Sequence, residues 1–314
     1  MNQQERYVAG VGAANVDVHG RSRKPIVMRD SNPGFLRTSV GGVTRNILEN
    51  LARQGVPASL LTAVSDDVYG EKILRDSAAA GIDVSHVYQK QGVASSCYIA
   101  MLDERGDMLL GMSDMRIIQN LHTGYLDENR DLLQNAAAIV CDACLPCDFL
   151  DYLVSGPASG AKVFIDPVST AYARQMKPVT GKFFGIKPNE MELAILSGMP
   201  TGSEAEIERA CEALLNLGVS RIAVSRGERG CYYADADGNR TFRALRPVEQ
   251  MVNATGAGDA FMAGFIHGLI DDMPIDAGLD YALSSGITAI ESMSTINPEM
   301  SDALVKANIE RYRP

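Results

Sequence analysis

The sequence predicts an α/β protein, a three-layer αβα sandwich in which a mostly parallel central sheet lies between helices and a small β-sheet forms a lid. Two patterns support this prediction. Short apolar runs alternate with amphipathic stretches along most of the chain, and two strand-like stretches interrupt that rhythm. Nearly continuous apolar strands separated by helices are typical of a parallel sheet that is covered on both faces.

Six apolar runs are predicted as strands of the central sheet. They are "YVAGVG" (7–12), "ASLLTAV" (58–64), "AAAIVCDA" (136–143), "KVFIDP" (162–167), "FFGIKP" (183–188) and "RIAVSRG" (221–227). Four stretches with helical periodicity lie between them, at 43–55, 70–81, 190–198 and 204–218. Gly218 is a C-cap candidate for the last of these. After residue 259 the pattern is helical to the end, with loops near Pro274 and Pro298.

Residues 16–40 and 92–113 alternate like strands and do not fit the strand–helix rhythm. The second stretch contains "DERGD", which is typical of a hairpin turn. We expect both stretches to pair as a small sheet on a single domain that spans residues 1–314, with a lid formed by about residues 16–40 and 92–115. An ordinary antiparallel extension of the domain explains the same pattern.

Composition restricts the classes of partner. The 314 residues carry a net charge of −10 without a basic block, which disfavours a nucleic-acid groove or an anionic membrane surface and favours a small metabolite. No run of 18 apolar residues occurs, and "MNQQERYVAG" lacks the apolar core of a signal peptide. We therefore expect a cytoplasmic protein with no membrane partner and with its six cysteines as reduced thiols.

Three of the cysteines follow one another at regular spacing in "CDACLPCD". Cys141, Cys144 and Cys147 have the C-x2-C-x2-C spacing that iron–sulfur or zinc sites can use. A fourth ligand is not evident, because the other cysteines and the four histidines supply no pair at ligand spacing. Since "AAAIV" precedes Cys141, the alternative is that this cysteine ends a buried strand as a small hydrophobe.

The segment "VNATGAGDAFMAGF" (252–265) places glycines and an acid where an apolar helix begins. Glycine weakens a helix start but lets an anion approach the unpaired amides there, so residues 256–258 suit a phosphoryl group. Asp259 would repel a phosphate but could take a proton from an attacking hydroxyl. The alternative makes Asp259 a first-turn acid and Thr255 an N-cap. The residues alone favour neither interpretation.

Five segments in order along the chain resemble the motifs of the ribokinase-like (PfkB-type) sugar and nucleoside kinases. They are "GAANVDV" (12–18), "GGVTRNILENLARQG" (41–55), "KPNEMEL" (187–193), "SRGERG" (225–230) and "NATGAGDAFMAG" (253–264). The resemblance covers nearly the whole chain and implies the ribokinase-like fold and an ATP-dependent kinase.

The resemblance implies a ribose site near the first two segments. It assigns Asn15 and Asp17, which share a face at a strand end, to the sugar hydroxyls. Gly41 and Gly42 would let the sugar approach the backbone, and Asn46 would bind another hydroxyl. The alternative is a turn followed by a helix cap.

The remaining three segments are implied to bind magnesium-ATP and to carry the chemistry. Asn189 and Glu192 offer oxygen ligands for Mg²⁺, although an acidic helix start has the same sequence. The resemblance assigns the nucleotide to residues that are mostly small, namely Asn189, Ser225, Gly227, Gly230, Thr255, Gly256 and Gly258; a plain hairpin is the alternative for 225–230. Asp259 becomes the catalytic base, and Gly256, Ala257 and Gly258 the anion hole.

Two residues depart from the common family pattern. Asn253 and Ala254 stand where Asp and Thr are usual. Because that aspartate helps to hold a monovalent cation in relatives, the resemblance leaves activation by K⁺ open.

A narrower resemblance is to bacterial pseudouridine kinases, through "RDSNPG" (29–34), "GGVTRN", "SDM" (113–115) and the Asn-x-Thr-Gly-Ala-Gly-Asp segment. It implies that Asp30, Ser31, Asn32 and Asp114 in the lid contact the base. Alternatively, "DSNPG" is only a turn. A homodimer through the lid is a further implication of the family resemblance.

Other function classes fit less well. "VAGVGAAN" (8–15) begins like a dinucleotide fingerprint, but Asn15 replaces the third glycine, and no Walker A motif occurs. A non-catalytic sugar-binding regulator would have little reason to keep Asp259 together with the phosphate-side motifs. The sequence thus predicts transfer of phosphate from ATP to the 5′-hydroxyl of a nucleoside, pseudouridine first, with another nucleoside or a sugar (ribose, inosine or a ketohexose) as the alternative.

Overall fold

A computed structural model describes residues 6–248 and 251–314 of the chain. The first five residues of "MNQQERYVAG" lie outside the described residues. Among the residues that the structure describes, no helix combines the length and the apolar character needed to cross a membrane.

The described residues form a nine-stranded central sheet, a four-stranded sheet and a two-stranded sheet. The strands are β1 (Val8–Val11), β2 (Asn15–Ser22), β3 (Gly34–Gly41), β4 (Ala58–Leu61), β5 (Ala63–Val64), β6 (Ile82–Asp83), β7 (Tyr88–Gln89), β8 (Cys97–Leu102), β9 (Met108–Asp114), β10 (Ala138–Asp142), β11 (Val163–Asp166), β12 (Gly185–Ile186), β13 (Arg221–Ser225), β14 (Cys231–Asp235) and β15 (Arg240–Arg243). In space the central sheet runs β15-β14-β13-β12-β11-β10-β1-β4-β6.

Most of the central sheet is parallel, as predicted. The pairs from β13 to β6 are all parallel, whereas β14 and β15 add an antiparallel edge that the sequence pattern did not predict. The run predicted over 183–188 contains only the two-residue strand β12, because the chain turns into a helix cap directly after Pro188.

Helices cover both faces of this sheet. They are α1 (Val43–Arg53), α2 (Val68–Ala79), α3 (Thr123–Glu128), α4 (Arg130–Asn135), α5 (Cys147–Ser155), α6 (Thr170–Met176), α7 (Glu190–Ser197), α8 (Glu204–Asn216), α9 (Ala257–Ile270), α10 (Ile275–Ile290) and α11 (Asp302–Tyr312). The last three confirm the helical end of the chain. Gly218 follows the end of α8 with φ 116°, a conformation that favours glycine, while Leu217 is the C-cap.

The core is divided by the sheet into two layers. Alternate strand residues point to opposite faces, so Val11, Ile139 and Ile165 pack in one cluster with α3–α8, whereas Val8, Val140 and Phe164 pack in the other with α1, α2, α9 and α10. This confirms the three-layer αβα sandwich.

The two stretches outside the strand–helix rhythm form the small sheet, in the order β3-β2-β8-β9. Strand β2 pairs antiparallel with β3 and parallel with β8, and β8 and β9 form a hairpin. The "DERGD" turn closes that hairpin because the Asp103 carboxylate accepts the amides of Arg105, Gly106 and Asp107. A separate sheet at the place of the predicted lid is therefore present.

Candidate active site

The start of α9 carries the predicted anion hole. Gly256 is the N-cap and has φ 85°, a left-handed conformation, and an added Cβ would meet the Thr295 carbonyl oxygen at 2.1 Å. The helix therefore begins at Ala257 with Gly256 as its cap, and the alternative in which Thr255 is the N-cap is wrong. The Ala257 amide donates to the Ala254 carbonyl over a long 3.4 Å, which leaves it weakly engaged.

Asp259 lies in the first turn of α9 and is partly buried. Asn46 Nδ2 donates to Asp259 Oδ2 at 2.8 Å, and Asn46 Oδ1 is buried without a hydrogen-bond partner among the described residues. Burial, reinforced by the negative charge of Asp166, raises the pKa of Asp259 to about 7 from its ordinary 3.8. A carboxylate with that pKa can accept a proton near neutral pH.

Beside Asp259, adjacent parallel strands end in a row of charged side chains. The β10–β11 register pairs Asp142 with Asp166, and Lys187 directly follows Ile186, whose register partner Ile165 directly precedes Asp166. Lys187 Nζ lies 3.1 Å from Asp166 Oδ2, and both side chains are buried. None of these three residues is among the predicted site residues, although each stands at the end of a predicted strand.

Asp142 connects the central sheet to α1. Its Oδ2 accepts hydrogen bonds from the Ala13 amide at 2.7 Å and from Thr44 Oγ1 at 2.6 Å. Gly12 makes room for this carboxylate, because an added Cβ would lie 2.4 Å from Oδ2. The contact fixes the first turn of α1 and thereby helps to place Asn46 against Asp259.

The predicted sugar residues meet where the small sheet joins the domain. Asn15 Nδ2 donates to Asp17 Oδ1 at 2.6 Å, and the β2–β3 register sets Asn15 opposite Gly41. A Cβ on Gly41 would lie 2.2 Å from Asp17 Oδ2, so only glycine leaves that carboxylate in place. Gly42 has φ 101° and is the N-cap of α1, the helix that carries Asn46. Burial raises the pKa of Asp17, and the Asn15 hydrogen bond opposes that shift.

Asn189 and Glu192 form a capping box at the start of α7. Asn189 Oδ1 accepts from the Glu192 amide and Glu192 Oε2 accepts from the Asn189 amide, both at 2.9 Å. Glu192 is buried, which raises its pKa, while Lys187 acts in the opposite direction. Within the described part of the chain, no group of three or more His, Cys, Asp or Glu side chains is arranged to hold a metal ion.

A cavity of about 460 Å³ opens at the N-terminal end of α9. Its polar end contains Ser225, Gly227, Gly230 and Gly258, four of the residues predicted to bind nucleotide. Ser225 is brought to Asn189 by a bridge between the ends of their strands, and the 225–230 turn joins β13 to β14 as a hairpin. The rest of the lining is mostly apolar and includes Leu245, Val248, Met251, Phe261, Leu283, Ile287 and Ile290. This volume and lining suit a heterocyclic base with a phosphate tail.

Comparison with known proteins agrees with this geometry. The family model "pfkB family carbohydrate kinase" matches residues 5–302. The chain belongs to the PfkB family of carbohydrate kinases. Pseudouridine kinase from Escherichia coli is 33% identical over 309 residues, 98% of each protein.

Solved structures of kinases in this fold superpose closely. Ribokinase from Arabidopsis thaliana, complexed with ribose and ATP, has a TM-score of 0.86 at 19% identity and covers 98% of this chain and 99% of its own. A protein from E. coli assigned as ribokinase II, in complex with ATP and Mg²⁺, has a TM-score of 0.83 at 21% identity, with the same coverage. The central sheet, the flanking helices and the small sheet are those of the ribokinase-like fold, and the protein is a nucleoside or sugar kinase, a phosphotransferase with an alcohol group as acceptor.

The two residues that depart from the common family pattern, Asn253 and Ala254, differ in their surroundings. Asn253 Oδ1 accepts the Thr255 amide at 3.0 Å, and its Nδ2 donates to the Met293 carbonyl at 3.3 Å. Thr255 is exposed, whereas Ala254 lines the cavity. Nucleotide binding by Thr255 therefore stays a prediction.

The lid residues predicted to contact a base have other partners in this structure. The side-chain amide of Asn32 is bonded within its own loop. Its Oδ1 accepts from the Val27 amide, and its Nδ2 donates to the carbonyls of Val27 and Asp30. The Asp30 carboxylate accepts the Ser31 amide, and Asp114 forms a two-point pair with Arg116. These contacts fit the turn interpretation of "DSNPG" and leave base recognition by these four residues a prediction.

The cysteine segment contains free thiols, as do the other cysteines of the kinase. Cys141 is buried in β10, and burial raises its pKa well above the ordinary value, in agreement with its interpretation as a small hydrophobe. Cys144 and Cys147 are partly buried, and no metal-binding group involves them among the described residues.

Proposed function

We propose that the kinase transfers the γ-phosphate of ATP to the 5′-hydroxyl of pseudouridine. The observation that carries the proposal is the position of Asp259, which directly follows the cavity-lining Gly258, is held by Asn46 and has a pKa raised to about 7. The identity with the E. coli pseudouridine kinase over nearly the whole chain supports the choice of nucleoside.

The proposed reaction begins with the nucleoside held at the base of the lid. Asn15 and Asp17 orient the ribose hydroxyls, and Gly41 leaves room for the sugar beside them. The free Asn46 Oδ1 accepts a further hydroxyl, because its amide nitrogen is already bonded to Asp259. This arrangement directs the 5′-hydroxyl towards Asp259.

Asp259 then takes the proton of the 5′-hydroxyl as that oxygen attacks the γ-phosphorus. The Gly258 amide and the weakly engaged Ala257 amide, at the positive end of the α9 dipole, receive the charge that develops on the phosphoryl oxygens. The hairpin turn with Ser225, Gly227 and Gly230 binds the remaining phosphates, and the apolar part of the cavity binds the adenine.

Magnesium fits the buried oxygen atoms next to this turn. Glu192 keeps one carboxylate oxygen outside its capping box and Asp166 lies near it, and Mg²⁺ commonly binds proteins through one or two carboxylates, waters and substrate phosphates. Glu192, with Asn189 as its orienting partner, would hold the ion, which would supply charge neutralisation to the phosphates. Asn253 stands where relatives have an aspartate that helps to hold a monovalent cation, so the dependence of activity on K⁺ is measured separately.

A homodimer through the small sheet accompanies the proposed activity. The registers of β3, β2, β8 and β9 place Leu36, Ile99, Met101, Leu110 and Met112 on one face, where each is 40–76% exposed. Such a contiguous apolar face is typical of a protein interface. A charge at its centre, Leu110→Glu, should convert a dimer to a monomer in analytical ultracentrifugation.

A substrate panel tests the proposed function. ATP consumption and nucleotide product are measured with pseudouridine, uridine, inosine, ribose and fructose 6-phosphate. The ring N–H that the C-glycosidic bond of pseudouridine leaves free should give it the largest kcat/KM, by about tenfold or more over uridine. A larger kcat/KM for inosine or for a sugar would replace pseudouridine as the substrate.

A further inference from the structure

Lys187 is a buried cation that the five family-like segments leave without a role. It is the first residue after β12 and its side chain is 6% exposed. Its partner is Asp166, the last residue of the neighbouring strand β11, with Nζ 3.1 Å from Oδ2. A buried lysine is costly unless it is paired, so its location requires an explanation.

The ammonium group points towards the start of α9. A Cβ built on Gly258 would lie 3.4 Å from Lys187 Nζ, so this nitrogen stands beside the backbone of the anion hole. Asp259, the proposed base, is the next residue of α9 after Gly258. Lys187 Nζ therefore lies between the Asp166 carboxylate and the start of α9 that carries the anion hole and the proposed base.

One paired acid does not use all of the donors of an ammonium group. Lysine has three N–H donors, and the contact with Asp166 occupies one of them. The others are available on the side of Gly258, where an incoming anion would be close to both the helix dipole and the ammonium group.

We propose that Lys187 is a catalytic residue that binds the transferred γ-phosphoryl group. The proposal rests on the proposed function, since it assumes ATP in the cavity next to Gly258. In the step, the 5′-oxygen forms a bond to the γ-phosphorus, the bond from that phosphorus to the β–γ bridging oxygen breaks, ADP leaves with the bond electrons, and the hydroxyl proton passes to Asp259. Lys187 donates hydrogen bonds to the γ-phosphoryl oxygens throughout, while Asp166 holds it in place.

The competing explanation is that Lys187 only neutralises Asp166. Both explanations predict damage when the lysine alone is removed, because Lys187→Met leaves a buried, unpaired carboxylate. They differ for the double variant Asp166→Asn, Lys187→Met, in which no unpaired charge remains at this pair. A phosphoryl ligand would still be missing there, whereas a simple charge pair would have been replaced by a neutral one.

The experiment is calorimetric binding of two nucleotides at one fixed Mg²⁺ concentration. ADP lacks the γ-phosphate, and β,γ-methylene-ATP carries it without being cleaved by transfer. Wild type, Lys187→Met, the double variant and the control Lys306→Met are compared; Lys306 forms a surface pair with Asp302 on α11. Binding of either nucleotide by the wild type tests the ATP site of the proposed function independently of Lys187.

Loss of Lys187 should weaken β,γ-methylene-ATP by about tenfold or more and leave ADP within about twofold, in both the single and the double variant. Turnover with pseudouridine should fall by about 10²–10³ in both, as for the loss of one charge-stabilising donor. Lys306→Met should match wild type. The proposal is overturned if both nucleotides weaken equally, if neither weakens, or if the double variant regains wild-type affinity and turnover. If Lys187→Met does not fold, the double variant alone decides between these results.

Discussion

The pH dependence of the reaction gives the sharpest prediction about the general base. Asp259 must be ionised to accept the hydroxyl proton, and its pKa is raised to about 7 by burial and by Asp166. Activity should therefore be full above about pH 8 and should fall as the pH drops through about 7. Asn46→Ala should move this limb to higher pH, because the amide N–H of Asn46 stabilises the ionised carboxylate.

The size of the effect follows from simple titration. With a pKa of about 7, about one-tenth of the enzyme carries ionised Asp259 at about pH 6, so kcat/KM should be about tenfold below its plateau there. An ordinary aspartate, with its pKa of 3.8, would leave the rate unchanged at that pH. A hydrogen bond to a charged group is worth about 1.5–3 kcal/mol, which sets an upper limit of about one to two pH units for the Asn46→Ala shift.

The assay measures kcat/KM for pseudouridine between about pH 5 and about pH 9, because kcat/KM reports the pKa values of the free enzyme. Asn135→Ala, which removes a surface asparagine on α4, is the matched control and should leave the limb in place. A profile that is flat down to about pH 5, or a limb that stays fixed in Asn46→Ala, would refute the assignment of Asp259 as a base held by Asn46.

Three further predictions follow from the same site. Asp259→Asn should raise the free energy of unfolding at about pH 8 by up to about 4 kcal/mol, because folding raises the pKa of this acid and so makes its ionised form costly in the folded state. In denaturant titrations, this gain should vanish as the pH falls towards about 4, where the acid is protonated in both states. Asp17→Ala should weaken pseudouridine binding by about tenfold to a hundredfold in calorimetry, through loss of charged hydrogen bonds; unchanged affinity would count against the ribose role. Gly286→Leu, which fills the cavity from α10, should raise the KM for ATP by about tenfold with nucleoside affinity unchanged, and an unaltered KM would place the adenine elsewhere.

The fold was predictable because its signals are local. Apolar strands and amphipathic helices recur with their own periods, and the "DERGD" turn marks the β8–β9 hairpin through the hydrogen bonds of one aspartate. The short length of β12 and the antiparallel strands β14 and β15 were not predicted, because strand length and pairing depend on neighbours that are distant in sequence.

The candidate site was predictable where residues act within one segment. Asp259 and the glycines before it stand together in the sequence, as do Asn15 and Asp17. Asp142, Asp166 and Lys187 become neighbours only through the order of three strands, which no single segment reveals. The polar or charged residue that ends each of these strands was the available signal, because the carboxyl ends of parallel strands meet at one edge.

The hydrogen bonds of polar side chains were the least predictable feature. Asn189 and Glu192 satisfy each other in a capping box, and Asn32 holds its own loop. A sequence shows that these residue types can bind ligands, but it does not show which of their atoms are already used. That distinction is why Asn46, with one atom on Asp259 and one free, stands out in the structure.

The central claim is that Asp259 removes the proton from the acceptor hydroxyl, and turnover of Asp259→Asn tests it most directly. Formation of pseudouridine 5′-phosphate from ATP, followed by mass spectrometry, should show kcat reduced by about 10²–10⁴ with nucleoside affinity retained. Wild-type turnover by Asp259→Asn would contradict the claim.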